Sequence, residues 1–204
     1  MEKNLEQRVA ELEKQNKEMV QQLKALQGNV ATKISKKLGV GDTFEVAGLK
    51  WTILDITDKG YACLADKLAK DGHFDNDCNN WQASDLRNYL NTEFYDNLSD
   101  VVGADNIIPF ERDLLSLDGQ TEFGTCEDKV SLLNVDEYRK YRALIPNADY
   151  WWWLITPWST PCNGYDATVA VVSPRGGISS SVYYNNFGVR PFCIFSSSIF
   201  ESEE

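Results

Sequence analysis

The chain has 204 residues and a formal net charge of −11 at pH 7, because 31 Asp plus Glu outnumber 20 Lys plus Arg. Such acidity repels phosphate backbones and anionic lipid and argues against nucleic acid as a partner. Hydrophobic residues make up 43% of the chain, which suffices for one packed domain with an appendage, and no apolar run reaches membrane-spanning length, so no membrane insertion is expected.

The N-terminus is charged and lacks the apolar stretch of a signal peptide. We therefore expect synthesis in a cytoplasm, with any virion or cell-surface location reached by another route, such as assembly into a phage tail. The five cysteines form no C-x-x-C pair, and an odd number cannot all pair within one chain. They are expected to be reduced and mostly buried thiols.

Residues 1–28 carry the a/d seam of a coiled-coil oligomerisation helix. The seam positions are separated alternately by four and three residues: Leu5, Val9, Leu12, Asn16, Met19, Leu23 and Leu26. A single Asn at an a position favours two strands, whereas the segment from Arg8 to Glu13 resembles a short motif of parallel trimers. The seam predicts that the chain associates with itself as a parallel homotrimer, with a dimer and a solvated monomeric helix as the alternatives.

A basic linker follows at 29–41, and the pattern then changes to that of a globular domain over 42–200, closed by an acidic tail at 201–204. Apolar residues alternate or cluster from Phe44 to Cys63, with turns available at Gly48 and at 58–60. This beginning predicts a small antiparallel meander.

Two helices are predicted downstream. Ser84 can cap the first, whose apolar positions recur at helical spacing: Leu86, Tyr89, Leu90, Phe94 and Leu98. The second begins at Asn134, has Glu137 as a capping-box partner and ends before Pro146. Residues 99–130 are rich in Gly and Asp and are expected to form long surface loops with short strands.

The C-terminal part combines a dense aromatic anchor with small polar residues. Adjacent tryptophans at 151–153 precede an apolar segment at 167–172, a turn at 173–177 and an alternating strand from Ile178 to Tyr184. One face of that strand carries Ser179, Ser181, Tyr183 and Asn185. This mixture of Tyr, Trp, Ser and Asn is typical of a binding surface.

Several motifs resemble, in order, a set of uncharacterised domains common in gut bacteria and their phages. They are Asn80-Trp81, Ser84-Asp85-Leu86-Arg87-Asn88-Tyr89-Leu90-Asn91, Asp128-Lys129-Val130-Ser131-Leu132-Leu133, Trp152-Trp153-Leu154-Ile155-Thr156-Pro157 and Gly188-Val189-Arg190-Pro191. Those domains are similar to the C-type-lectin-like fold of formylglycine-generating enzymes and of variable proteins diversified by retroelements. The resemblance implies an α+β, C-type-lectin-like domain with two helices, small antiparallel sheets and long loops, preceded by the parallel coiled coil.

The same resemblance implies a site and a role. In the diversified proteins, asparagine codons are mutated at adenines, so positions between the Trp-rich strand and the Gly-x-Arg-Pro segment vary among Asn, Tyr, Ser, Asp and Gly. The ligand-binding residues implied here are the fixed anchor Trp158 and the variable positions Ser159, Thr160, Asn163, Tyr165, Asp166, Ser179, Ser181, Tyr183, Asn185 and Asn186. The implied partner is a protein or glycan receptor on a host or target cell, as for a phage tail-tip protein or surface adhesin; an ordinary Ser/Asn-rich loop is the alternative.

Other prominent residues are predicted to be structural. Trp152 and Trp153 are expected in the core, because side chains on a strand alternate and at least one or two of the three tryptophans must face inward, while Trp158 is expected to be exposed. Arg190 between Gly and Pro is expected to pair with a carboxylate or stack on a ring rather than to grip a ligand.

No metal site, cofactor or enzymatic activity is predicted. The segment with Asp75, Asp77 and Asn79 fails as a calcium loop, because Asn80 stands where a Gly is needed and Leu86 where a bidentate Glu is needed. A thiol oxidase of the formylglycine-generating type, using Cys162 and Cys193, is the alternative, although no basic residue flanks either cysteine. A structural tail or baseplate module is a further alternative.

Overall fold

The computed structural model describes residues 38–66, 68 and 71–200, together with Arg8, Leu12 and residues 14–19 near the N-terminus. Leu38–Ile199 form one compact unit. The predicted acidic tail at 201–204 lies outside the described residues.

The described N-terminal residues are helical and exposed. Leu12 and Met19, which occupy predicted d positions, are 64% and 59% exposed. Asn16 lies between them on the same stretch of helix. The other predicted seam residues, Leu5, Val9, Leu23 and Leu26, lie outside the described residues.

Strands β1 (Thr43–Val46), β2 (Leu49–Ile56) and β3 (Tyr61–Ala65) form the predicted antiparallel meander. The turn between β1 and β2 consists of Ala47 and Gly48, both at positive φ, which is the geometry of a type I′ hairpin turn. Two later strands, β4 (Ile107–Ile108) and β10 (Phe192–Phe195), complete the sheet in the order β1-β2-β3-β10-β4. The end of the domain is therefore hydrogen-bonded to its beginning.

The first predicted helix is divided into two. Ser84 caps α1 (Asp85–Asn91) by accepting a hydrogen bond from the Arg87 N–H, as predicted. The chain leaves helical geometry at Thr92, and α2 (Glu93–Val102) then carries Phe94 and Leu98 into the core. The prediction of one continuous helix was wrong. The helical spacing of the apolar residues continues across Thr92, but the backbone angles of Thr92 are not helical.

The second predicted helix, α3 (Val135–Tyr141), has the predicted capping box. The Asn134 side chain accepts from the Glu137 N–H at 2.7 Å, and Glu137 accepts from the Asn134 N–H at 2.8 Å. The helix ends before Pro146, as predicted. Short 3-10 helices occur at Trp81–Ala83, Ala104–Asn106, Arg142–Leu144, Pro161–Asn163 and Ser197–Phe200.

Residues 103–134 are mostly loop, interrupted by a hairpin of β5 (Phe110–Asp113) and β6 (Thr125–Asp128). The expectation of long loops with short strands over 99–130 is confirmed from Gly103 onward, whereas residues 99–102 belong to α2. Two buried charges hold this region in place. Arg112 contacts Glu137 on α3, and Asp128 accepts hydrogen bonds from Trp81 at 2.7 Å and Arg87 at 2.6 Å.

The third sheet consists of β7 (Trp152–Pro157), β8 (Thr168–Val172) and β9 (Ile178–Val182) in sequence order. Trp152 and Trp153 are buried on opposite faces of β7, which confirms their predicted core role. Trp152 packs against Tyr138, whereas Trp153 packs against Phe74 and Phe187. Both faces of this sheet are therefore covered near β7.

The closing Gly-Val-Arg-Pro segment is structural, as predicted. Arg190 is buried, lies 5.0 Å from the Trp152 ring and donates to the Ala65 carbonyl at 3.1 Å. Its guanidinium also lies 3.8 Å from the Asp66 carboxylate. A Cβ atom at position 188 would lie 2.7 Å from the Tyr150 ring, so this close approach favours glycine there.

The architecture is thus α+β, with few helices and small antiparallel sheets. The core lies between the five-stranded sheet, the β7-β8-β9 sheet and α3. Across the part of the chain that the structure describes, no helix combines the length and apolar character needed to cross a membrane.

Candidate ligand-binding surface

Three loop segments that are distant in sequence meet at the end of β9. The Tyr183 N–H donates to the Ala167 carbonyl at 3.2 Å, and its own carbonyl accepts from the N–H groups of Phe74 and Asp75 at 2.9 and 3.3 Å. These backbone bonds connect the turn after β9 to the loops at 75–78 and 158–167. Side chains from all three can therefore share one surface.

The tyrosine pair after β9 forms the centre of this surface. Tyr183 is half-buried, Tyr184 is 59% exposed, and their rings meet edge to face with centroids 5.5 Å apart. Burial raises the pKa of the Tyr183 phenol, and the nearby carboxylates of Asp166 and Asp77 raise it further. We define the tyrosine surface as Asp77, Tyr165, Asp166, Tyr183, Tyr184 and Asn185.

The loop at 75–78 is held by a buried carboxylate. Asp75 accepts hydrogen bonds from the N–H groups of Asp77, Cys78 and Asp85, at 3.0, 2.8 and 3.0 Å. Burial raises the Asp75 pKa, but these backbone donors outweigh it and the net pKa is lowered. Asp75 therefore fixes the backbone at the exposed Asp77, in the loop that bonds to Tyr183, and has little capacity left for a ligand.

The loop after β7 is fixed at its beginning and exposed at its end. Ser159 donates to Asp118 at 2.7 Å, and its carbonyl accepts from the Asn79 side chain at 2.8 Å. Asn163 also donates to Asp118, at 3.0 Å. Past this anchored segment, Tyr165 is 47% exposed and Asp166 is exposed.

Two predicted binding residues do not belong to an open surface. Ser159 and Thr160 are 3% and 0% exposed. Their placement in the ligand-binding set is corrected here, because the contacts of Ser159 with Asn79 and Asp118 draw the start of the loop into the core. The polarity of Ser159 reflects this anchoring.

The remaining predicted residues are at least partly accessible. Those that are exposed are Trp158, Asn163, Tyr165, Asp166, Asn185 and Asn186, and those that are half-buried are Ser179, Ser181 and Tyr183. Ser181 accepts from the Asn185 side chain at 2.9 Å. Ser179 and Ser181 lie opposite Val171 and Val169 of β8, on the same sheet face as Trp153. The face of β9 that carries Ser179 and Ser181 is thus partly covered, and the more accessible side chains lie beyond the C-terminal end of the strand.

Sequence reasoning missed Tyr184 and Asp77. Strict alternation through residue 184 placed Tyr184 on the face of Ile178, Ser180 and Val182, but β9 ends at Val182 and a turn exposes Tyr184. Asp77 was considered only as a metal ligand. The exposed-turn composition Tyr-Tyr-Asn-Asn was the signal that could have indicated Tyr184.

The candidate oxidase cysteines have unlike surroundings. Cys193 is buried in β10 directly across from Cys63 of β3, and burial raises its pKa well above the ordinary value. Cys162 is exposed, and its side-chain hydrogen bond with Glu122 raises its pKa. Because the thiolate is the reactive form, both shifts lower thiol reactivity near neutral pH.

A separate small cleft of about 190 Å³ lies beside the start of α3. It is lined in part by Asp113, Ser116, Asp136 and Arg139. Arg139 lies 3.4 Å from Asp136, and Asp113 accepts from the Leu115 N–H, so the charges in this cleft already have partners. The cleft contains none of the predicted binding residues. Among the residues that the structure describes, no group of three His, Cys, Asp or Glu side chains is arranged to hold a metal ion.

A family model described as a domain of unknown function (DUF6273) matches residues 114–197, less than half of the chain. The matched stretch contains the loop after β7, all of β8 and β9 and the tyrosine pair, but neither the meander nor the loop at 75–78. No curated protein and no solved structure matches the chain.

Proposed function

We propose that this chain is a non-enzymatic ligand- or receptor-binding protein, with a C-type-lectin-like head carried in several copies by an N-terminal coiled coil. Its role is recognition of a protein or glycan receptor at a phage tail tip or a cell surface. The observation that carries the proposal is the cluster of exposed tyrosines, carboxylates and Asn185 at the end of β9.

The chemistry of this cluster suits binding. Tyrosine side chains give a large contact area at low entropic cost, and Asp and Asn provide hydrogen bonds at its margin. The cluster rests on buried aromatic residues, because Phe74 of the underlying loop packs 5.7 Å from Trp153 and 5.6 Å from Trp81. A rigid support limits the entropy lost when a ligand binds.

The cysteine environments support a binding role over the oxidase alternative. A thiol oxidase needs a pair of accessible cysteines with thiolate character. Cys193 is instead enclosed in the five-stranded sheet, and Cys162 has a carboxylate as its neighbour.

Removing the exposed tyrosines is expected to weaken ligand binding. Tyr165→Ala and Tyr184→Ala should each reduce affinity by about fivefold or more, since truncating a tyrosine that anchors an interface removes about 1 kcal/mol or more. Binding of the labelled full chain to a glycan array and to a panel of gut-bacterial isolates measures this.

Tyr89→Ala is the matched control, because Tyr89 is 38% exposed on α1 but is not part of the tyrosine surface. It should bind like the parent protein. Unchanged affinity in both surface variants, with unfolding midpoints preserved, would remove the site assignment.

The N-terminal helix is expected to hold several copies of the chain together as an oligomer. Leu12 and Met19 are seven residues apart and expose apolar surface that burial in a parallel oligomer would remove from water. Several heads on one stalk raise the avidity for repeated epitopes through effective concentration.

Replacing both seam residues, as Leu12→Glu with Met19→Glu, is expected to convert a trimer into monomers, because like charges would then face each other in the seam. Sedimentation equilibrium of the full chain measures the mass. The matched control is Lys14→Glu, an exposed position outside the predicted seam. A parent chain that already sediments as a monomer would contradict the oligomer.

A further inference from the structure

Strand β9 is the last strand of its sheet. The order β7-β8-β9 leaves its second side without a strand partner among the described residues. Its pairing with β8 runs without a register shift from Val172 opposite Ile178 to Thr168 opposite Val182. A regular strand with one unpaired side presents a row of backbone donors and acceptors.

The alternation of hydrogen-bonded and non-hydrogen-bonded residue pairs identifies which backbone groups of β9 point away from β8. Tyr183 donates to Ala167 and Ser173 donates to Gly177, so the pairs 167/183 and 173/177 are hydrogen-bonded pairs. Such pairs recur at every second residue, which assigns 169/181 and 171/179 to the same class. The N–H and C=O groups of Ile178 and Ser180, and the N–H of Val182, therefore point away from β8.

The outward edge lacks the usual protection. Proteins protect open edges with Lys, Pro, bulges or inward charges, and the sequence Ile-Ser-Ser-Ser-Val contains neither charge nor proline. The outward carbonyl of Val182 is used locally, because it accepts from the Asn185 N–H at 3.1 Å. No other described backbone group is bonded to the outward groups of Ile178 or Ser180.

The surroundings of the edge determine the chemistry of its partner. On one face, Ile178 packs against the buried cluster that contains Val172 and Trp152, so apolar residues of an added strand would extend that cluster. On the other face, Ser179 and Ser181 favour small polar neighbours. At the two ends, exposed Arg175 precedes β9, and exposed Asp166 precedes Ala167, whose carbonyl accepts from the Tyr183 N–H, giving a positive and a negative end.

We propose that the outer edge of β9 binds an extended segment of a partner protein by strand addition, with backbone hydrogen bonds to Ile178, Ser180 and Val182. The segment alternates apolar and small polar residues, and an antiparallel segment would carry a basic residue near its N-terminal end and an acidic one near its C-terminal end. This inference rests on the proposed function, since the edge leads directly into the tyrosine surface. It selects a protein partner over a glycan, because only an extended backbone matches alternating donors and acceptors.

The test uses Ser180→Pro in the full chain. Proline removes the outward N–H of Ser180 and none of the β8–β9 bonds, and proline is tolerated on an edge strand where the N–H faces solvent. The probe is a phage-displayed library of random nine-residue peptides, from which binders of the parent chain are selected and resynthesised. Affinity for these peptides should fall by at least about tenfold in Ser180→Pro, while Ser180→Thr, the matched control, should retain it.

If the proline variant does not fold, amide hydrogen exchange of the parent chain still tests strand addition. In the parent chain the N–H groups of Ser180 and Val182 should exchange quickly without peptide and be protected when the selected peptide is bound. Absence of any selected peptide, binding insensitive to Ser180→Pro, or no added protection at these amides would overturn strand addition.

The outcomes separate this inference from the proposed function. Peptide binding that is lost in Tyr184→Ala but kept in Ser180→Pro would overturn strand addition and leave the tyrosine surface in place. Peptide binding that is lost in Ser180→Pro, with cell and glycan binding unaffected by the tyrosine variants, would support strand addition and contradict the tyrosine surface.

Discussion

Replacing Glu137 with alanine is expected to lower the free energy of unfolding by about 3–5 kcal/mol, because it leaves a buried guanidinium without its carboxylate. Arg112 is 2% exposed, and its terminal nitrogens lie 2.6 Å from the two Glu137 oxygens. The change also removes the acceptor for the Asn134 N–H at the start of α3. Chemical denaturation followed by tryptophan fluorescence measures the loss, since every tryptophan lies beyond residue 50 and reports on the head.

Arg112→Met is the informative comparison. Methionine fills much of the space beside Phe110 and Phe192, which lie 5.2 and 5.6 Å from the guanidinium, and it leaves no unpaired cation at this position. The remaining Glu137 side chain is 24% exposed, so it can be hydrated and still complete the capping box. The loss should be smaller than in Glu137→Ala. The opposite ranking would contradict the interpretation that the unpaired buried cation is the costly species.

Trp153→Ala is expected to cost about 3–5 kcal/mol and to abolish ligand binding. The side chain is fully buried, packs 5.0 Å from Phe187 and 5.7 Å from Phe74, and donates to the Gly72 carbonyl at 2.8 Å. Phe74 in turn donates its N–H to Tyr183. A cavity at this position therefore loosens the loop that supports the tyrosine surface, and binding should fall under conditions in which the variant is still folded.

Trp151→Ala, two positions earlier in the chain, is the control for Trp153→Ala. Its ring is 39% exposed and lies 6.2 Å from Phe187, so the change should cost no more than about 1 kcal/mol. Denaturation midpoints and binding of the labelled chain are compared for both variants. Equal losses of stability would show that the two tryptophans do not differ in structural role.

Features that depend on neighbours in the chain were predictable from the sequence. The cap at Ser84 and the capping box of Asn134 and Glu137 each involve residues three apart, and the turn at Gly48 needs only a positive φ. The strands of the meander and of the C-terminal sheet were visible because the period of alternation is a local property. The same alternation required at least one of the three adjacent tryptophans to face inward.

The exposure of the candidate binding residues was less predictable, because distant contacts decide which polar side chains are exposed. Asn79 bonds to the carbonyls of Ser159 and Thr168, 80 and 89 residues away, and these bonds help hold the start of the second loop in the core. Composition alone predicts that Ser159 and Tyr165 are both exposed. The contacts with Asn79 and Asp118 distinguish the buried Ser159 from the exposed Tyr165.

The sequence by itself therefore determined the mixed α and β character, the first meander, the strands around the turn at 173–177, the caps and the structural role of Trp152, Trp153 and Arg190. Tertiary structure decided that both faces of β7 are covered, that β9 ends at Val182 and exposes Tyr184, and that the loop carrying Asp77 is bonded to Tyr183. The physical reason is the separation in sequence between the interacting residues. Periodicity and capping follow from bonds within a few residues, whereas the exposure of a polar side chain depends on which distant segment packs against it.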